Sequence, residues 1–113
     1  MSDFTIEFSN RTFNNVRQST EQLKEIAKEI RRDIIKSLAV SQSGHSGGPL
    51  GSTDVFTALY FSGVMRYNPE DMEWAERDRF VLSAGHMSPV LYATLANAGC
   101  FPKEELRTLR KYN

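Results

Sequence analysis

Apolar side chains at Leu23, Ile26, Ala27, Ile30, Ile34 and Leu38 recur every three or four positions, which predicts a helix from about Glu21 to Val40. Ser19 followed three residues later by Gln22 has the form of a capping box at its start. Lys24, Glu25, Lys28, Glu29, Arg32 and Lys36 mostly fall off this stripe and are expected on a solvated face. Ahead of the helix, residues 1–18 read as a polar lead. Within it Phe4, Ile6 and Phe8 alternate with Thr5 and Glu7, a period of two that suits an edge strand, and a disordered or docking arm is an equal alternative. Asn10 to Gln18 is too polar to be expected in a core.

Beyond Val40 the pattern becomes shorter and denser. Val55, Phe56, Ala58, Leu59, Tyr60 and Phe61 make a segment that is apolar almost all round. It predicts a buried or interfacial helix from about Asp54 to Ser62, capped by Ser52 or Thr53. Asn68-Pro69 reads as a cap with proline in the first helical position, so a short helical turn is expected from Pro69 to Trp74. Phe80-Val81-Leu82 is a short apolar run bounded by turn signals, which predicts a buried strand from Phe80 to Ser83. Ser88 and Pro89 then open a helix that closes near Gly99, and a last helix is expected from about Lys103 to Lys111, displaying Leu106 and Leu109. The stretch is therefore mainly helical with one or two short strands. A lone strand cannot form a sheet, and a strand–turn–helix unit ordinarily belongs to a parallel α/β sheet covered on both faces. The other strands of such a sheet are expected on another chain or on sequence beyond this stretch.

Composition narrows the possibilities. The 113 residues carry 14 basic and 14 acidic side chains, so net charge gives no reason to expect nucleic acid or an anionic membrane as partner. No run approaches the ~20 apolar residues of a membrane span. There is no secretory signal to be read at the start, and a single cysteine, Cys100, excludes an internal disulfide; a cytoplasmic, reducing setting is expected.

The candidate chemistry lies in two glycine-rich turns, each just before a predicted helix: Ser43-Gly44-His45-Ser46-Gly47-Gly48-Pro49-Leu50-Gly51 and Leu82-Ser83-Ala84-Gly85-His86-Met87-Ser88-Pro89. They hold the only two histidines of the chain. Glycine lets a ligand approach the backbone, helix starts present unpaired N–H groups, and a neutral imidazole both donates and accepts. Two such turns brought together suit a phosphorylated cofactor or a polyol. Neither is a Walker loop or a Rossmann fingerprint. Two distant histidines and one cysteine argue against a structural zinc site on ligand number, and Ser43, Ser46 and Ser88 lack the elbow of a serine hydrolase.

The run Gly44-His45-Ser46-Gly47-Gly48-Pro49-Leu50-Gly51-Ser52-Thr53-Asp54 resembles the opening motif of transketolases. Met65-Arg66-Tyr67-Asn68-Pro69, Trp74, Arg77-Asp78-Arg79-Phe80-Val81-Leu82-Ser83-Ala84-Gly85-His86, Leu91-Tyr92-Ala93, Gly99-Cys100-Phe101-Pro102 and Glu105-Leu106 continue it in register. The resemblance, from about Leu23 to Tyr112, is to the N-terminal thiamine-diphosphate-binding domain, including its form as a separate subunit of split enzymes. It implies a partial α/β thiamine-diphosphate-binding fold, with residues 19–113 its first part. It further implies thiamine diphosphate with magnesium, transfer of a two-carbon ketol unit from a ketose phosphate to an aldose phosphate, and a homodimer when intact. By the same resemblance His45 faces the donor's hydroxyl end and assists proton movements, while His86 lies by the cofactor diphosphate, with Ser83 and Gly85 shaping that turn.

Ser46 stands where the family usually has proline, Ala84 where lysine or asparagine is common, and Met87 where alanine is common. The family's Gly-Asp-Gly metal motif has no counterpart, since no Asp-Gly dipeptide occurs. The metal ligands and the activating glutamate are therefore expected on the remaining domains or on a complementary C-terminal chain, and the stretch alone is expected to be inactive. Two other readings remain: a non-catalytic fragment that docks on a larger partner, and another thiamine enzyme such as a dihydroxyacetone synthase or a deoxyxylulose phosphate synthase.

Overall fold

The computed structural model describes residues 6–9, 11–13, 17–41 and 47–108. Its elements are helices α1 (Thr20–Ser41), α2 (Gly47–Gly51), α3 (Thr53–Phe61) and α4 (Ser88–Asn97), with a 3-10 turn at Gly85–Met87 and a 3-10 helix at Lys103–Thr108. The capping box is formed as expected: the Ser19 amide donates to Gln22 Oε1 at 3.0 Å and the Gln22 amide to Ser19 Oγ at 3.2 Å. Each bond uses an amide that the first helical turn leaves without an internal acceptor. The apolar stripe of α1 turns inward, with Ile26, Ile30 and Ile34 fully buried.

α1 packs along α4 and α3. Their shared core holds Ile26, Ile30, Ile34, Phe56, Tyr60, Phe61, Tyr67, Val90 and Ala93. Edge-to-face ring pairs fill it, Phe56 on Phe80 at 5.3 Å and Tyr60 on Tyr67 at 5.0 Å between centroids. The Tyr67 hydroxyl donates to the Tyr60 carbonyl at 2.6 Å, so the one polar atom of that ring is satisfied inside the core.

The lead before α1 is a docking arm where it is described; Phe4 lies outside the described residues. Phe8 is buried against Ala96 and Leu106, with Val40 and Phe101 packed beside them. Arg107 donates to the Ile6 carbonyl, and its guanidinium lies 5.4 Å from the centre of the Phe8 ring. Phe13, in the segment expected to be too polar to bury, packs edge-on against Phe61 at 6.3 Å. The amides of Phe13 and Gln18 donate to the carbonyls of Asn97 and Phe61, at 2.7 and 3.0 Å.

Three expectations need correction. Among the described residues there is no strand. Phe80 to Ala84 keeps a strand's alternation, with Phe80 and Leu82 packed on the core while Val81 is 85% exposed and Ser83 faces out. No neighbouring strand is present to accept its backbone, and a strand exists only as part of a ladder. Second, Pro69–Trp74 forms turns instead of a helix. Asn68 Oδ1 and Asp71 Oδ1 accept the amides two residues on, at 2.9 and 3.2 Å, and such local bonds compete with helical ones. Third, Glu29 is not on a solvated face. It is 3% exposed and ion-paired to Lys103.

The final helix begins at Lys103 as expected but is 3-10 in form, and Leu106 is buried. Leu109 to Lys111 lie outside the described residues. α4 closes at Gly99, whose φ of +87° is the left-handed conformation that ends helices and favours glycine.

Candidate functional site

The first glycine turn leads into α2, a single turn whose exit is held by side chains bonding back to it. Ser52 Oγ donates to the Gly48 carbonyl at 3.0 Å and Thr53 Oγ1 to the Pro49 carbonyl at 2.9 Å. Pro49 is buried, whereas Gly47 and Gly48 are exposed. The second turn follows Leu82. Ala84 accepts from the Met87 amide at 2.9 Å and Gly85 accepts from the Ser88 amide, so the 3-10 turn runs straight into α4. Ser88, expected as the cap, is itself inside the helical run, and the 3-10 turn takes over the task of starting the helix.

α2 packs against both the Gly85–Met87 turn and α4. The two glycine segments are thus neighbours in space although 33 residues lie between Gly51 and Gly85 in sequence. Ser83, Gly85, Gly47 and Gly48 are exposed around this junction. His45 lies outside the described residues. His86 is placed by its backbone in the 3-10 turn, and its side chain is likewise outside what is described.

The glycines here are informative. Among the described residues, only Gly63 and Gly99 have a positive φ. A Cβ added at Gly47 or Gly85 would meet nothing within 4 Å. Neither backbone conformation nor packing within the chain therefore requires glycine at these two positions. The open space beside them is what a ligand approaching the backbone needs. Among the described residues, no group of three or more His, Cys, Asp and Glu is placed to hold a metal ion.

Ahead of the second turn in sequence, the chain is held by Asp78. Its carboxylate accepts from the Arg66 amide at 2.7 Å, and this bond, with the Arg66 side chain adding to it, keeps the carboxyl below its ordinary range. The Asp78 amide returns a bond to the Arg66 carbonyl at 2.7 Å, which fixes the approach to Phe80. Burial pushes the Tyr60 hydroxyl up to about 12 and the Cys100 thiol up to about 11, so neither is prepared to act as a base or nucleophile.

The chemistry that the sequence pattern did not reveal lies at the other end of α4. Lys103 Nζ sits 3.2 Å from Glu29 Oε2 and 3.1 Å from Asp33 Oδ2, with all three side chains buried. Asn97 Nδ2 donates to Asp33 Oδ2 and to the Ala93 carbonyl, both at 2.8 Å. Ser9 Oγ donates to Glu29 Oε2 at 2.6 Å. One signal was present: Asp33 lies three residues after Ile30, on the apolar stripe itself.

A family of thiamine-diphosphate-binding proteins accounts for both the helical framework and the paired glycine turns. Residues 22–113 match the family described as transketolase, thiamine diphosphate binding domain, and the chain belongs to that family. It is 52% identical over 68 residues to the 6-deoxy-6-sulfo-D-fructose transketolase subunit SqwG of Clostridium sp. (strain MSTE9), covering 60% of this chain and 24% of that one. It is 39% identical over 89 residues to transketolase 1 of Escherichia coli (strain K12), covering 78% and 13%. With the transketolase of Pongo abelii it shares 38% identity over 95 residues, covering 84% and 15%. The chain thus spans less than a quarter of the length of these relatives. No helix among the described residues is long and apolar enough to cross a membrane.

Proposed function

We propose that this stretch is the first part of the diphosphate-binding domain of a cytoplasmic enzyme that moves a two-carbon ketol unit from a ketose phosphate to an aldose phosphate. The observation that carries the reading is the exposed junction of the two glycine turns, where glycine at positions 47 and 85 answers no need of the chain itself. Thiamine diphosphate, when bound, supplies a nucleophilic carbon that can hold the ketol unit between donor and acceptor. The backbone at Gly85 and the Ser83 hydroxyl would receive its diphosphate at the start of α4, with His86 beside it. His45 would face the sugar's hydroxyl end and exchange protons there. Magnesium ligands and the group that activates the aminopyrimidine would come from the rest of the assembly.

The exposed apolar side chains support a partner for this stretch. Val81, Val64 and Val55 are 85, 72 and 60% exposed, and Phe80–Ser83, whose backbone is unpaired among the described residues, could pair with strands supplied from elsewhere. One relative is named as a transketolase subunit, which suits a complementary chain as that source. By itself the stretch would bind the cofactor weakly and turn over nothing, and the intact enzyme would be a homodimer.

The test is reconstitution. The polypeptide is mixed with the complementary part of a transketolase, and cofactor binding and ketol transfer are measured. Transfer is expected only with both parts present, and His45→Ala and His86→Ala should abolish it. Full activity with both histidines replaced would overturn the reading.

A further inference from the structure

The buried cluster at the end of α4 contains a mismatch. Asp33 and Asn97 are both fully buried and are joined by one bond, Asn97 Nδ2 to Asp33 Oδ2 at 2.8 Å. Among the described residues, the second oxygen of each, Asp33 Oδ1 and Asn97 Oδ1, has no hydrogen-bond partner. The bonded pair thus carries two unpaired acceptors and lacks a single hydrogen, and an unpaired buried acceptor is costly. A carboxylic acid supplies it. An acid and a primary amide form a ring of two bonds, the amide N–H donating to one carboxyl oxygen and the acid O–H donating back to the amide oxygen. The other Asn97 N–H is already engaged by the Ala93 carbonyl, so every group on both side chains would then be paired.

The surrounding charges favour Asp33 as the proton's host. From α1, Glu29 is its neighbour, and from the helix at Lys103–Thr108 the Lys103 ammonium touches both carboxyls. Glu29 has further support: Ser9 from the arm at 2.6 Å, Arg32 at 3.3 Å and Arg11 at 3.9 Å. Among the described residues, the Asp33 carboxyl has only Lys103 and Asn97. The charged side chain of α3 nearest α1, Asp54, is engaged by Arg31 at 3.0 Å.

We propose that Asp33 takes up a proton before Glu29 does and, as a neutral acid, closes a two-bond ring with the Asn97 amide, making the α1–α4 clamp tightest in weak acid and looser as the pH rises. Burial, the largest influence on Asp33, pushes its carboxyl up. Burial is also the largest single influence on Glu29, but the Ser9 bond, the Lys103 charge and the bonds from Lys103 and Arg32 together outweigh it and hold that carboxyl below its ordinary range. The signs are opposite. The raised group stabilises the fold below its ordinary value and loses that contribution as pH rises through the raised one. The lowered group stabilises above its ordinary value and loses that contribution as pH falls through the lowered one. The clamp is therefore strongest between the two. Asn97 ends the helix that the Gly85–Met87 turn begins, so the proton fixes the far end of the element carrying the candidate site.

The experiment compares Asp33→Asn with the unaltered full chain by denaturant unfolding from pH 4 to pH 8. The variant's amide replaces the acid O–H permanently. Its folding equilibrium constant should rise relative to that of the unaltered chain as the pH goes from 4 to 8, because only the unaltered chain loses the proton. In an Asn97→Ala background that gain should shrink. A ratio that stays flat, or that falls as pH rises, overturns the proposal. A readout that needs no variant is the 13C carboxyl titration of Asp33 and Glu29. Asp33 should titrate at the higher pH and the Asn97 side-chain amide signals should move with it, whereas an Asp33 midpoint at or below that of Glu29 overturns it.

Discussion

At the C-terminal end of α4, Asn97 is fully buried and the charges around it find partners from α1, the arm and the helix at Lys103–Thr108. At the N-terminal end of the same helix, Ser83 and Gly85 are exposed and Val81 is 85% open. One helix thus joins a region closed off within the chain to one whose backbone and apolar groups face outward. The closed end is assembled from residues up to 94 positions apart, Ser9 and Lys103. The open end is assembled from two local turns. Groups that find partners within the chain serve the fold, and groups left facing outward mark where something else must fit.

Mutations separate the two ends. Phe61→Ala removes a fully buried ring from the core beneath both, and should cost about 4 kcal/mol in denaturant unfolding. Lys103→Met attacks the closed end alone. It leaves buried carboxylates facing no ammonium and should cost about 3 kcal/mol, while the open end keeps its shape by amide hydrogen exchange around Gly85. Gly85→Ala does the reverse. Its Cβ meets no atom of this chain, so stability should change by less than about 0.5 kcal/mol. In the reconstituted enzyme, however, affinity for thiamine diphosphate should fall at least tenfold, about 1.4 kcal/mol by calorimetry. Equal binding by this variant would show that the open space is not used by the cofactor.

Smaller effects sharpen the picture. Ser19→Ala removes the side-chain acceptor of the α1 capping box, leaving the Gln22 amide unpaired, and should cost about 1 kcal/mol, with fraying confined to the first turn. Cys100 lies on the core side, where burial raises its thiol to about 11. Its raised value stabilises the fold below the ordinary thiol value of 9.0 and loses that contribution as pH rises towards about 11. Alkylation at pH 8 should therefore be slower in the folded chain than in a short peptide, and equal rates would count against the burial.

The elements set by local rules were legible in the sequence. The cap at Ser19, the stripe on α1, the apolar α3 and the glycine closing α4 each depend on neighbours within a few residues. Phe80–Ser83 was misread because a strand depends on a partner that no local pattern reveals. Pro69–Trp74 was misread because the Asn68 and Asp71 side chains bond locally in competition with the helix. Glu29 was assigned to solvent because its cation lies 74 residues away. The two glycine turns were visible as a motif, and their adjacency follows from the packing of α2 against α4, which sequence spacing does not encode.

A helix ends with carbonyls that still need donors. Here the segment ahead of α1 reaches two such ends, with Phe13 serving the last residue of α4 and Gln18 the last residue of α3. The family match begins only at residue 22. A version of the protein trimmed to that boundary would retain every matched residue yet lose both donors. Its third and fourth helices would unravel first at their tails, so the unmatched prelude works as a brace for the matched body.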